Sequence, residues 1–205
     1  MRSAPVLNPL LWATFVLALP ALGQRPSRSG IGLKVAAQWS TIQAGALDYQ
    51  PMMGAAMGAY VPLWCGSRFE VQPELLLSYQ GAQLVHKEDD PKAIRLIYAQ
   101  LPITAKLFLT NTLNVQGGVQ FGKLLAATSA DNDVHDDYVP YDMGMLIGLG
   151  ADLESGLDFG VRFYSGMTPL LVNDDKFYPT NRYTQLSIGY RVARFAHKRK
   201  FRSRR

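Results

Sequence analysis

Apolar and polar residues alternate with a period of two through most of the chain. The pattern is clearest in segment 67–81, SRFEVQPELLLSYQG, where odd positions from 69 to 79 are apolar and nearly all even positions, apart from Leu76, are polar. Successive side chains of a strand point to opposite faces, so this segment is predicted to be one long, two-faced strand. Strands in soluble domains are commonly about five or six residues long, whereas a transmembrane barrel strand needs this greater length.

Seven other segments show the same period, with no helical stretch between them. The predicted strands are 31–40, 53–64, 67–81, 94–110, 113–125, 141–153, 157–167 and 182–195. Tight turns at 65–67, 110–112 and 154–156 alternate with longer connections at 41–52, 82–93, 126–140 and 168–181. An even strand number with short turns on one side and long loops on the other is typical of outer-membrane barrels. The predicted fold class is all-β: an eight-stranded antiparallel up-and-down transmembrane β-barrel.

Alternation alone does not tell which face points inward, because a soluble barrel of the lipocalin type has its apolar residues inside. Here the apolar face is continuous across all eight segments, and the opposite face carries charges of both signs at mid-strand. A charge at the middle of a lipid face costs about 2–4 kcal/mol. The membrane interpretation therefore places these side chains in the lumen: Lys34, Glu70, Glu74, Lys106, Arg162 and Arg191.

Aromatic residues near the predicted strand ends support the same choice. Interfacial aromatic belts occupy such positions in membrane proteins. The residues expected in these belts are Trp39, Trp64, Tyr79, Tyr98, Phe121, Tyr141, Phe163 and Phe195.

The lumenal charges are predicted to form a structural network. An eight-stranded barrel is only wide enough for side chains to fill it, and charges in a dry interior need partners. We therefore expect Glu70 and Glu74 to pair with the basic residues of the set above. The alternative is a narrow ion path or a proton-bearing carboxylate.

The two ends of the chain differ in composition from the alternating segments. Residues 1–23 are predicted to be a signal peptide, because Arg2 precedes an apolar run and a small-residue site precedes Gln24. A short membrane anchor, interrupted by Asn8, Pro9 and Pro20, is the alternative. The barrel domain is predicted over 24–195, followed by a basic tail at 196–205. We expect this tail in the periplasm, either free or touching anionic lipid or an acidic partner.

Composition adds two limits. The 205 residues suffice for one domain, and their formal net charge of +5 owes much to the tail. A nucleic-acid role is not expected of an exported chain. The single cysteine, Cys65, excludes an intramolecular disulfide and is either a tolerated turn thiol or a site of intermolecular pairing.

Short motifs along the chain resemble the PorT-like outer-membrane β-barrel domain, a porin-family small barrel common in exported Bacteroidetes proteins. The resemblance covers nearly the whole mature chain. It rests on these pieces in order: G-x-G-L-K at 30–34, Q-P-E-L at 72–75, Y-Q-G at 79–81, L-P-x-x-x-K-L at 101–107, D-x-G at 142–144, R-x-Y-x-G at 162–166 and G-Y-R at 189–191. The resemblance implies location and shape, and leaves the activity open, although one member type assists protein secretion.

The predicted long connections are acidic, with carboxylates at 88–90, 131, 133, 136–137 and 174–175. They are expected to be solvated; the alternative is that they bind Ca²⁺ or bridge to lipopolysaccharide through divalent ions, although none has the spacing of an EF-hand. We predict no metal site and no cofactor.

Catalytic motifs are missing from the sequence. His86 and His135 lie in acidic connections without a matching serine on a strand face, and His197 lies in the tail. No nucleophile elbow or phosphate loop is recognisable. We predict that the protein is not an enzyme and has no catalytic residues.

The sequence thus predicts an outer-membrane barrel with a polar, side-chain-filled lumen, structural or ligand-binding through its extracellular loops. The alternative is a transport protein, either a narrow channel or a PorT-like component assisting secretion. Expected partners are outer-membrane lipid and, through loops 82–93 and 126–140, lipopolysaccharide or envelope proteins. We expect a monomer.

Overall fold

A computed structural model describes residues 29–43, 49–64, 68–84, 92–129, 132–171 and 178–195. Eight long strands make up most of it: β1 (Gly30–Gln43), β2 (Tyr49–Tyr60), β3 (Phe69–Leu84), β4 (Lys92–Phe108), β5 (Leu113–Ser129), β6 (Tyr141–Asp152), β7 (Leu157–Gly166) and β8 (Thr180–Arg194). Two-residue strands at Leu63–Trp64 and Asn132–Asp133 and a 3-10 turn at His135–Asp137 lie in connections.

The eight long strands close into a barrel. Each pairs antiparallel with its neighbours in the chain, and the first pairs with the last, with Lys34 on β1 opposite Gly189 on β8. Such closure leaves no open sheet edge. The predicted eight-stranded, antiparallel, up-and-down barrel is confirmed.

The alternation assigns one face of each strand to the outside. Leu33, Met57 and Ile147 are 59%, 61% and 67% exposed, whereas the intervening polar residues, such as Gln38 and Gln72, are completely buried. An exposed apolar band with a buried polar interior is the arrangement of a barrel whose outside faces lipid.

Several strand boundaries were predicted wrongly. The strands continue into the predicted long connections, covering 41–43, 49–52, 82–84, 92–93, 126–129 and 180–181. Backbone pairing does not require an apolar outer face, so it extends past the amphipathic part of each strand. Conversely, β2 ends at Tyr60 rather than 64, and β4 ends at Phe108 rather than 110.

One aromatic residue was also assigned to the wrong face. Tyr98 is completely buried in the lumen and does not contribute to an outer aromatic belt, because even-numbered positions of β4 point inward. Trp39, Tyr79, Phe121, Tyr141, Phe163 and Phe195 are between 40% and 64% exposed, as expected for the belt. The side chain of Trp64 lies outside the described set.

No helix among the described residues is long and apolar enough to cross a membrane. The predicted signal peptide (1–23), the basic tail (196–205) and Cys65 lie outside the described residues.

Candidate functional site: the barrel lumen and its loop end

Glu74 is the centre of the larger charge cluster in the lumen. Its Oε1 accepts hydrogen bonds from Lys34 Nζ at 2.8 Å and Gln72 Nε2 at 2.6 Å. Arg162 reaches it from β7 and donates to both carboxylate oxygens, Nη2 to Oε1 at 2.6 Å and Nη1 to Oε2 at 2.9 Å. Gln116 accepts from Arg162 Nε at 3.0 Å. Arg162 therefore uses its planar fork for a bidentate pair and a further bond.

Asp152 is the centre of a second cluster, close to the turn end of the barrel. Lys106 Nζ lies 3.1 Å from its Oδ2, Asn114 donates at 2.9 Å, and Arg191 Nη2 lies 3.9 Å away. Glu70 is completely buried and lies 3.6 Å from Lys106, but neither of its carboxylate oxygens has a hydrogen-bond partner within the described part of the chain. Arg191 thus contacts Asp152, an acid that the predicted network did not include.

Asp158 and Tyr60 extend the Glu74 cluster toward Asp152. The Tyr60 hydroxyl donates to Asp158 Oδ2, and the Lys34 ammonium lies 4.9 Å from the centre of the Tyr60 ring. A cation at this distance from an aromatic face is attracted to it. The Glu74 cluster therefore continues through Lys34 and Tyr60 to Asp158, which is opposite Asp152 in the β6–β7 ladder.

Amides, hydroxyls and tyrosines fill the lumen above the charges. Ser78 donates to Gln38 at 2.8 Å, and Tyr183 donates to Gln120 at 2.7 Å. The rings of Tyr164 and Tyr183 stack with centroids 4.8 Å apart. This layer carries few charges, and some of its polar groups bond across the lumen, as Asn181 of β8 does to Tyr98 of β4 at 3.3 Å.

The loop end of the lumen is closed by an apolar cluster, which we call the cap. The structure places apolar side chains from four strands and two connections in it: Ile42, Ala82, Ile94, Leu96, Tyr98, Leu124, Ala127, Tyr138 and Leu170. All are less than 9% exposed. The lumen was predicted to be polar. At its loop end it is instead a buried apolar layer.

Backbone hydrogen bonds hold the two connections over the cap. Val139 N donates to Leu170 O at 2.8 Å, and Leu170 N donates to Pro179 O at 2.7 Å. Val134 N donates to Ala127 O at 3.1 Å. The 3-10 turn that follows presents Asp136 and Asp137 to solvent.

Sequence reasoning missed several residues of this site. Asp142, Asp152, Asp158 and Tyr60 were not among the proposed network, although all four are buried and point inward. The odd–even alternation could have placed each of the three acids on the polar face, because the residues directly before and after each acid in the sequence are apolar.

The described residues contain no group of three or more His, Cys, Asp or Glu side chains that could hold a metal ion. The acidic positions 88–90, 131 and 174–175 and the histidines His86 and His197 lie outside the described residues, as does the side chain of Asp133. His135 lies on the 3-10 turn, with its Nδ1 3.7 Å from Asp136.

The barrel has counterparts among solved structures. Neisserial surface protein A matches with a TM-score of 0.51 at 9% identity, over 80% of this chain and 97% of that one, which shows a shared fold. Ail of Yersinia pestis, solved with the heparin analogue sucrose octasulfate, has a TM-score of 0.49 at 12% identity, over 80% and 98%. The outer membrane enzyme PagL has a TM-score of 0.44 at 13% identity, over 78% and 99%. None of the curated proteins compared with the chain matches it.

The chain also matches the model of a protein family. The model of the outer membrane protein beta-barrel domain matches residues 23–172, most of the chain, and includes β1 to β7. This match agrees with the closed barrel, its exposed apolar band and its polar interior. The chain belongs to the outer membrane protein beta-barrel domain family, and its location is the outer membrane.

Proposed function

We propose that the protein is a non-catalytic, non-conducting envelope barrel that meets its ligand or partner through the loop end. The observation that carries this proposal is the continuous filling of the lumen. Charged side chains bonded around Glu74 and Asp152 occupy the turn half, and the apolar cap closes the loop half. A solute would have to break a buried ion pair and displace the cap, and both carry a large free-energy cost.

Planar-bilayer recording of the refolded mature chain tests the proposal. We expect no discrete openings from the wild-type barrel. A porin of known conductance, recorded in the same bilayers, serves as a control for detection. Discrete openings of the wild-type barrel with the conductance of a narrow pore would favour the transport alternative and refute the proposal.

The loop end supports a binding role because its described part is fixed in place. Tyr138 and Leu170 anchor the connections in the cap, while Asp136 and Asp137 point away from it. A fixed acidic tip suits a basic envelope protein, or lipopolysaccharide bridged by divalent cations. A photo-crosslinking residue at position 137, compared with one at exposed Glu154 on the turn side, tests this in intact envelopes. Adducts from position 137 alone are expected; equal adducts would contradict it.

A PorT-like role in protein secretion is the second candidate. The motif resemblance supports it, as does the run of Lys and Arg residues at 196–205, which would face the periplasm if the loops face outward. Deleting this tail separates the two candidates. Loss of secreted surface proteins with an intact barrel would favour the secretion role, and an unchanged secretome would favour the structural or binding role.

The non-catalytic assignment rests on the chemistry of the lumen. Its carboxylates are engaged by lysine, arginine, asparagine or tyrosine, or enclosed without access to substrate. A lipid-hydrolase assay on the refolded protein tests this, with a His135→Ala variant as the comparison. Hydrolysis that His135→Ala abolishes would overturn the assignment.

A further inference from the structure

The outward-facing charges of the strands have one sign. On the described side chains of the eight strands, every Asp and Glu is buried and faces the lumen: Glu70, Glu74, Asp142, Asp152 and Asp158. The outward charges on the same strands are all basic. Arg95, Lys123 and Arg182 lie toward the loop end and Arg194 toward the turn end. Charges on a lipid face are tolerated near the interfaces, where anionic head groups attract cations.

Arg182 has the most specific surroundings of these cations. It lies on β8 opposite Thr41 of β1 on one side and Ser165 of β7 on the other, so a long cation stands between two short hydroxyl side chains. Its Nε is shielded from solvent and has no hydrogen-bond partner among the described residues. A guanidinium beside hydroxyl donors is suited to a phosphate group.

The next outward row toward the membrane centre forms a notch. Thr184 follows Arg182 on the same face of β8 and lies between Trp39 of β1 and Phe163 of β7. The two aromatic side chains are 41% and 43% exposed. A small residue between two large ones leaves an opening along β8, directly below the cation.

An apolar groove lies below the notch. Its volume is about 680 Å³, and its lining includes Ala37, Leu186 and Val161, which are aligned across β1, β8 and β7. Leu186 lies four residues from Arg182, roughly 13 Å along the strand. The groove continues to Leu149 of β6 and Leu113 of β5, so it crosses five strands, roughly 19 Å at about 4.8 Å per strand.

We propose that this surface binds one phosphate-bearing lipid of the outer leaflet. The phosphate lies at Arg182 between Thr41 and Ser165, and an acyl chain passes the notch at Thr184 into the groove. Charge complementarity with Arg182 and continuity between the polar site and the groove select a lipid over a free anion. The site is on the barrel wall, so the proposal does not depend on what the loops bind.

Native mass spectrometry of the refolded chain in a neutral detergent tests the proposal. The probes are phosphorylated lipid A, the same glycolipid with its phosphates removed, and inorganic phosphate. We expect one phosphorylated lipid to be retained, and Arg182→Gln to weaken its binding about tenfold, because a charge-assisted bond is lost. Arg182→Lys should restore part of the affinity. Arg194→Gln, at the other end of the same outward face, is the matched control and should bind as the wild type does.

A second variant tests the acyl chain. Thr184→Phe fills the notch and should weaken lipid binding while leaving the heat-dependent gel mobility of the barrel unchanged. Equal binding by Arg182→Gln and Arg194→Gln, or equal retention of the dephosphorylated lipid, would overturn the proposal. If inorganic phosphate at comparable concentration displaced the lipid completely, the groove would contribute nothing to lipid binding. That result would also overturn the proposal. A two-chain mass without lipid would assign the groove to a second copy instead.

Discussion

Arg162 and Glu74 lie 88 positions apart in the chain, yet their side chains meet across the lumen through two hydrogen bonds of 2.6 and 2.9 Å. Their strands, β7 and β3, are on opposite sides of the eight-stranded barrel. The pair therefore joins walls that no backbone hydrogen bond connects. Bidentate arginine–carboxylate pairs fix orientation as well as distance, so this contact holds the two side chains in one arrangement across the lumen.

Removing the Glu74 carboxylate should destabilise the barrel strongly. Glu74→Ala leaves Lys34 and Arg162 buried without their shared acceptor, and breaking a buried pair in this way costs roughly 3–5 kcal/mol. Urea unfolding of the refolded barrel in micelles measures the change. Glu154→Ala, on an exposed turn, is the control and should leave the midpoint unchanged. Equal midpoints for the two variants would refute the structural role of Glu74.

Asp152 and Glu70 should respond differently to the same chemical change. Asp152 accepts hydrogen bonds from Lys106 and Asn114, whereas the Glu70 oxygens accept none from the residues that the structure describes. Asp152→Asn removes the charge to which Lys106 and Arg191 are drawn, and should be strongly destabilising. Glu70→Gln removes a buried charge without breaking a hydrogen bond and should change the free energy of unfolding by less than about 1 kcal/mol. Chemical denaturation compares them, and a larger loss for Glu70→Gln would contradict this assignment.

The alternation of residue types predicted the strand number and the closure, and the charges at mid-strand added the choice of the lumenal face. In β3, for example, Glu70 and Glu74 were assigned to the lumen because they share the polar face and a mid-strand charge is costly in lipid, and both are buried there. The reason is physical: a one-residue change in register would place these carboxylates in lipid. Pairing partners were harder to predict, because Arg162 reaches Glu74 from a strand with which β3 shares no ladder.

The cap could not be predicted because odd and even positions no longer differ in polarity where it forms. The run from Leu124 to Ala127 is apolar on both faces, and a register shift in the β4–β5 pairing lies opposite it, between Ile97 and Tyr98. A bulge adds a residue to one strand and reverses the facing of those beyond it. Period-two reasoning therefore ended β5 too early. Tyr98 was misassigned for another reason: it was placed in the belt because it lies near a strand end, although its even position in β4 points inward.

The cap should control the order of the loop end more than the stability of the whole barrel. Leu170→Ala removes a buried side chain that packs in the cap, at a local cost of about 2–5 kcal/mol. We expect faster proteolysis of the connections at 132–140 and 167–171 and little change in the urea midpoint. Met167→Ala is the control, because Met167 is in the same connection and 63% exposed. Unchanged proteolysis of Leu170→Ala would show that the connections are held by their backbone bonds alone.

Close approach between strands makes one glycine of β2 indispensable. Gly58 is opposite Leu76 in the β2–β3 ladder, and a Cβ on Gly58 would overlap the carbonyl oxygen of Leu75. That oxygen belongs to the backbone and cannot move without disturbing the ladder, so Gly58→Ala should cost at least about 1–3 kcal/mol or prevent refolding. At Gly117 on β5, the nearest atom to an added Cβ is Leu146 O at 3.7 Å, an ordinary contact. Gly117→Ala should therefore be neutral, or stabilising by about 0.4–1 kcal/mol because it restricts the unfolded chain. The folded fraction on unboiled gels and the urea midpoint measure both variants. If the two alanines gave the same midpoint, the tight β2–β3 approach would not determine which residues this strand accepts.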